Sequence, residues 1–277
     1  MIPVRLICTD FDGTLLGETP RPQAMLELRE LLRRLRRQCG TRWAVVTGRR
    51  LRDLEPALTG LTGFGLAPDF LVVEDALIYR RRPHGRPTPF WWWNLGILRH
   101  RANLLHRNMR EVVAWRDGLL ARFPTARDRS RQVVDLWVEF ADEDQAIHAE
   151  IQLRDWACTG SAHRFFVFRW GNELFLAPSA GTKGQAVTRL REHLRLHPAE
   201  VFAIGDGPND LSMLDGRVAG QTACVGNALD QVKDTVRRSR GCVAEAEDIL
   251  GVIEALRALV GDGVWGQASA APLESRL

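Results

Sequence analysis

The sequence predicts an α/β fold, a doubly wound, Rossmann-like parallel-sheet core interrupted by an inserted α+β cap domain. Three observations carry this reading. Near the start, short β-branched apolar runs alternate with amphipathic helical stretches. From about residue 80 to 178 that alternation gives way to a segment rich in Trp and Arg, and after residue 179 it returns. The core is therefore expected to be discontinuous, residues 1–79 plus 179–262, with a cap at 80–178 and a flexible Gly/Ala/Ser-rich tail at 263–277.

The run VRLICT (4–9) reads as a buried parallel strand. In 21–38, Met25, Leu28, Leu31, Leu32 and Leu35 recur at helical spacing, with Pro22 at the start and Gly40 closing the helix. RWAVVT (42–47) is a second strand, followed by Gly48 and a helical RRLRDLEPAL, and DFLVVED (69–75) is a third strand. Inside the insertion, 101–123 reads as a long amphipathic helix, 133–140 as a half-buried strand, and 142–157 as a helix whose acidic start suits its dipole. HRFFVFRW and NELFLAP form two strands about a Gly171-Asn172 hairpin signal. Beyond it come a helix at 181–196, strands at 200–206 and 222–227, a short strand CVA, and helices at 228–239 and 245–260.

Length and composition suit one large domain or two modest ones: 277 residues, 45% hydrophobic and 26% charged. A net charge of +4 does not point to a nucleic-acid binder, and no apolar stretch is long enough for a membrane span. No secretory signal stands out, and the five cysteines (8, 39, 158, 224, 242) are scattered, without a CxxC pair. A cytoplasmic protein with free thiols is expected. All but two of the 38 basic residues are arginine, so Arg80-Arg81-Arg82 is read as a solvated charged face, while Lys183 stands out.

In open parallel sheets, ligands bind at the carboxyl ends of the strands. Four sets of polar residues gather there: Asp10 and Asp12, then Thr47-Gly48-Arg49, then Asp206 with Asn209 and Asp210, and Lys183 near the start of a helix. Converging carboxylates repel one another. A hard cation resolves this, and Mg²⁺ prefers oxygen ligands. The lysine and the threonine hydroxyl then suit an anionic substrate, and a phosphate fits both metal and lysine. Gly13 allows a turn that presents backbone N–H groups to such an anion.

DFDGT, VVTGR, the lysine of GTKGQA and GDGPND resemble, in order, the four motifs of the haloacid dehalogenase (HAD) superfamily of phosphohydrolases. The insertion sits where one branch carries a large α/β cap, a branch that includes Cof-type sugar phosphatases, sucrose-phosphate phosphatase and phosphomannomutase. The motif resemblance covers the core, about 160 residues; the cap matches by position and pattern more than by residues. It implies a Mg²⁺-dependent phosphatase acting on a small phosphorylated metabolite, a sugar phosphate above all. Asp10 would be the nucleophile and Asp12 the general acid/base. Asp10, Asp12 through its carbonyl, and Asp206 would hold the metal, with Asp210 near or in its shell. Gly13, Thr47, Gly48, Lys183 and Asn209 would bind the phosphate.

Asp210 has a second reading, as cap of the helix LSML. Arg49 is either a surface residue or a substrate contact. Phosphomannomutase-type transfer shares the fold and the Asp pair. A receiver-like signalling domain shares the acidic pocket, Thr and Lys, but is near 120 residues in that class and lacks a cap. Seven of nine tryptophans fall in the insertion, three of them in PFWWWN. Read as a strand, that segment places Trp91 and Trp93 on one face, either packed in the cap core or stacked on a sugar ring. His84, His100, His106, His148 and His163 lack metal-ligand spacing. Substrate, pathway and oligomeric state are left open.

Overall fold

A computed structural model describes residues 3–17, 19, 21–82, 85–130, 136–161, 165–178 and 181–260. The expected tail, His84, His163 and residues 133–135 lie outside the described residues.

The first apolar run forms β1 (Leu6–Thr9), with Leu6, Ile7 and Cys8 fully buried. Each large apolar side chain withdrawn from water this way contributes about 1.5–3 kcal/mol. The chain then runs through α1 (Pro22–Cys39), β2 (Arg42–Val46), α2 (Leu51–Gly63) and β3 (Phe70–Val73). Pro22 sits in the first turn of α1, and Gly40 ends it at φ 66°, where a left-handed backbone suits glycine. After β3 come two strands that the sequence pattern did not announce, β4 (Leu77–Arg80) and β5 (Thr88–Pro89). Both are antiparallel and extend the same sheet outward.

The insertion contributes α3 (Trp91–Arg122), β6 (Arg127–Asp128), β7 (Leu136–Glu139), α4 (Glu143–Ser161), β8 (Phe165–Trp170) and β9 (Glu173–Pro178). The chain then passes through α5 (Lys183–His193), β10 (Val201–Gly205), α6 (Leu211–Leu214), β11 (Gln221–Cys224), α7 (Asp230–Arg238), β12 (Cys242–Val243) and α8 (Asp248–Val260). Two compact units result, one running to Trp91 and resuming at Thr182, the other Trp92–Gly181.

In the first unit the sheet order is β12-β11-β10-β1-β2-β3-β4-β5. From β12 to β3 every neighbour is parallel, the doubly wound arrangement the alternation predicts. Register decides what meets at the carboxyl edge. Thr9 pairs with Ile204 and Val45, and Val46 pairs with Val72. Asp10, Thr47, the β3–β4 turn and Asp206 therefore leave the sheet side by side.

In the second unit, four antiparallel strands are ordered β6-β7-β9-β8. Leu136, Val138, Phe165, Val167, Leu174 and Leu176 pack with Val112, Leu119 and Leu153 of α3 and α4. Strand alternation puts Trp137, Phe166, Phe168 and Phe175 on the opposite face. There Trp137 and Phe175 lie 5.4 Å apart, and Phe166 and Phe168 5.9 Å. The hairpin turns at Gly171, φ 54°.

PFWWWN is not a strand. Helix α3 begins at Trp91, well before the helix expected from residue 101. Successive residues in a helix are about 100° apart, so Trp91 and Trp93 point in different directions. Trp91 and Trp92 are 72% and 88% exposed, which removes them from the cap core. Trp115 and Trp156 do pack against that core.

Candidate active site

The site begins where β1 ends. Asp10 N donates to Ile204 O at 2.9 Å, so Asp10 is still held by the sheet. Phe11 then turns inward and is fully buried. Its carbonyl accepts from Leu15 N and Leu16 N, and Gly13 N donates to Leu16 O, closing a braced turn. Gly13 is needed twice over. Its φ is 71°, and a Cβ there would stand 2.4 Å from Asp206 Oδ2. The turn gives the two neighbouring aspartates opposite surroundings: Asp10 is buried, whereas the Asp12 side chain is about half exposed.

A cluster of buried charge lies behind this turn. Lys183 Nζ donates to Asp10 Oδ1 and to Asp210 Oδ1, both at 2.7 Å, and the lysine is wholly buried. It opens α5, whose N-terminus is fixed by a capping box: Gln185 N donates to Thr182 Oγ1, and the Gln185 side chain accepts from Thr182 N. Asp210 also accepts, through Oδ2, from the backbone N–H groups of Asp206 and Gly207 at 3.0 and 2.9 Å. It does not cap α6. Instead it closes the GDGPND loop on itself and anchors the lysine. Asp206 Oδ1 accepts from Thr14 Oγ1 at 2.6 Å, a contact the sequence reading did not single out.

Burial, followed by the charge of Asp210, pushes the Asp10 carboxyl well above the ordinary carboxylate range, against the opposing pull of Lys183. Burial and Asp210 likewise push Asp206 up to about 6. Lys183 is lowered by burial but raised more by Asp10, Asp210 and Asp75, so its net shift is upward and it stays an ammonium. One carboxylate oxygen from each of Asp10, Asp206 and Asp210 lies within 4.8 Å of the other two. An all-oxygen donor set, crowded and electrostatically strained, is what a hard divalent cation relieves. Both Asp210 oxygens already accept from protein donors, leaving Asp10 and Asp206 as the better-placed ligands of the three.

Strand β2 delivers the next group. Thr47 is buried, and its Oγ1 accepts from Arg49 N at 3.1 Å. Gly48 is exposed. Arg49 grips Asp12 with two bonds, Nε to Oδ2 at 2.8 Å and Nη2 to Oδ1 at 2.5 Å, and its guanidinium lies 5.3 Å from the Phe11 ring centroid. Asn209 Nδ2 donates to Asp75 Oδ1 at 3.1 Å. Asn227 Nδ2 donates to Gly13 O at 2.8 Å and its Oδ1 accepts from Asp248 N, tying the turn to the start of α8. Asp75 and Asn227 escaped the sequence reading because neither sits in a recognisable motif. Asp10, Thr47, Lys183, Asp206, Asn209 and Asp210 thus share one sheet edge, with Asp12 and Arg49 at its solvent side.

Helix α5 packs tightly enough to be tested. A Cβ on Gly184 would stand 2.0 Å from Ser212 O, and Gly184 N already donates to Ser212 Oγ at 3.0 Å. Gly184→Ala is expected to destabilise by about 1–3 kcal/mol, because backbone must move to admit the methyl group. Urea unfolding measures it; unchanged stability would mean that α5 has room to shift.

Comparison with known proteins fits this geometry. The crystal structure of the sucrose-phosphatase from Synechocystis sp. PCC6803, in complex with sucrose and phosphate, superposes with a TM-score of 0.65, 20% identity, and coverage of 94% of this chain and 99% of that one. The haloacid dehalogenase-like hydrolase yhjK from Bacillus subtilis gives a TM-score of 0.60 and 17% identity, covering 95% of this chain and 94% of that one. These likenesses show the shared fold. Among curated proteins, 5-amino-6-(5-phospho-D-ribitylamino)uracil phosphatase YwtE from Bacillus subtilis (strain 168) is 39% identical over 59 residues, 21% of this chain and 20% of that protein. The chain thus matches only about a fifth of that relative's length. Residues 3–259 match the family model for sucrose-6F-phosphate phosphohydrolase. The chain belongs to that family, on the HAD fold.

Proposed function

We propose that the chain is a Mg²⁺-dependent phosphatase of a small sugar phosphate, with the sucrose-phosphate class leading, working through an aspartyl phosphate. The buried Lys183 bridge between Asp10 and Asp210, with Asp206 beside it, carries this reading. Asp10 attacks phosphorus while the bond from phosphorus to the sugar oxygen breaks, and Asp12 gives its proton to that oxygen. Asp12 then takes a proton from water as the water attacks phosphorus. The acyl phosphate bond breaks, returning Asp10 and releasing inorganic phosphate. Thr47, Lys183, Asn209 and the N–H groups around Gly13 and Gly48 hold the phosphoryl oxygens. Asp10, Asp206 and the Asp12 carbonyl would hold Mg²⁺, with Asp210 behind them. When bound, the ion supplies positive charge against the carboxylates and the phosphoryl group.

Different surroundings suit the two aspartates to different work. Asp10 is buried beside the lysine. Asp12 stands at the solvent side, where a leaving group departs and water enters. Arg49 holds it through two hydrogen bonds, and an arriving phosphate competes for the same guanidinium. The family match supports a sugar phosphate as the substrate. Trp91 and Trp93 lose the shared face on which a stacking role rested.

The test is a phosphate-release screen over sugar and non-sugar phosphates, sucrose 6F-phosphate included, with Mg²⁺ and with EDTA. Release is expected for sugar phosphates, with at least about a hundredfold loss in EDTA. Mg²⁺ at 100 times its dissociation constant should also stabilise the metal-free protein by about 2.7 kcal/mol, seen as a raised thermal midpoint without substrate. Undiminished turnover in EDTA would overturn the metal assignment. Preference for non-sugar phosphates would overturn the substrate class.

A further inference from the structure

The turn joining β3 to β4 uses unusual residues. Glu74 and Asp75 adopt φ of 50° and 61°, a region that glycine and asparagine fill more easily. The turn is sewn to the loop after β2: Glu74 N donates to Arg49 O at 2.9 Å, and Asp75 N to Thr47 O at 3.0 Å. The Asp75 carboxylate accepts from Asn209 Nδ2 at 3.1 Å. Its oxygens lie 3.6 and 3.7 Å from where a Cβ on Gly48 would stand. Its charge also acts on Lys183. One side chain thus bears on the ends of β2, β3 and β10 and on the start of α5.

We propose that Asp75 is a positioning residue that orients the Asn209 amide toward the substrate phosphate. The inference rests on reading Asn209 as a phosphate ligand. An asparagine amide offers donors on one side and an acceptor on the other, and a half-turn exchanges them. An ionised carboxylate only accepts, so Asp75 admits Nδ2 and rejects Oδ1. The second Nδ2 hydrogen is then directed to donate to a phosphoryl oxygen, and the amide oxygen, which would repel it, is turned away. Asp75 itself, an anion, does not touch the phosphate. Glycine at 75 would fit the backbone better but would leave the amide to choose either face.

The test is a double-mutant cycle on the full chain with Mg²⁺, reading KM and kcat for p-nitrophenyl phosphate and the inhibition constant of inorganic phosphate. Asp75→Gly is expected to raise KM and the inhibition constant about tenfold, with kcat changed less than about threefold. Its thermal midpoint should not fall, since glycine suits φ 61°. Asp75→Asn, which can still accept through its amide oxygen, should recover most of the loss. Asp75→Gly added to Asn209→Ala should cost nothing further, because the two act as one unit. Full multiplication of the two effects, or an unchanged KM in Asp75→Gly while Asn209→Ala raises it, would overturn the role of Asp75 alone. An unchanged KM in Asn209→Ala would overturn the underlying reading of Asn209 and the proposal with it.

Discussion

Asp10→Asn is expected to abolish turnover while leaving the protein as stable as before, or more so. Asparagine has nearly the shape of aspartate, but its amide is no nucleophile toward phosphorus. If Asp10 forms the covalent bond, phosphate release should fall by about four to six orders of magnitude, as when other covalent enzymes lose their nucleophile. Stability should move the other way. The Asp10 carboxylate is buried, and Asp210 and Asp206 work against its charge. Neutralising it removes one of three crowded anions, and Lys183 keeps its bond to Asp210 at 2.7 Å. Catalytic groups held in strained surroundings commonly trade stability for activity in this way. Kinetics and thermal unfolding of the metal-free protein check both halves. Activity within tenfold of the wild type would remove Asp10 as nucleophile. Loss of activity together with a lowered thermal midpoint would show that the carboxylate supports the fold instead of straining it.

Much of this site was legible in the sequence because strand ends announce themselves. An apolar run that stops at Thr9 and meets two aspartates marks both an element boundary and a charge problem. The same logic reached Thr47, Asp206 and, through its rarity among arginines, Lys183. Three things were not legible. The Glu74-Asp75 turn carries neither glycine nor asparagine, so β4 went unread at the end of the expected core and β5 fell within the expected insertion; hydrogen bonds to Arg49 and Thr47 hold a turn that local propensity disfavours. The three consecutive tryptophans suit a strand by propensity, yet they begin a 32-residue helix, since bulky residues are tolerated at an exposed first turn. The partners of Asp210 were hidden for a different reason. Spacing places it one residue before LSML, where a cap is the ordinary reading. Only the folded loop shows its oxygens committed to Lys183 and to two backbone N–H groups.

The largest loss of stability should come from Lys183→Met. Methionine is close to lysine in length and suits a buried space, so the change removes charge with little change in volume. It leaves Asp10 and Asp210 buried without their shared cation. Breaking a buried ion pair from one side costs about 3–5 kcal/mol, because the remaining charge has no partner. Lys183→Arg should not rescue it. The ammonium reaches one oxygen of each carboxylate at 2.7 Å from a fully buried position, and a planar guanidinium cannot take the place of that point charge. A pH series separates lost charge from lost packing. Asp10 already has its folded-state pKa raised by burial and by Asp210. A carboxyl raised in this way favours folding below its unfolded pKa, and that contribution is lost as pH rises through the folded pKa. Removing the ammonium raises Asp10 further, so the gap between variant and wild type should widen as pH rises from about 4 to about 8. Urea unfolding of the metal-free proteins across that range measures it. A deficit that stays constant with pH would assign the loss to packing and remove the lysine from its electrostatic role, and phosphate release by the variant at more than about a tenth of the wild-type rate would remove it from phosphoryl binding as well.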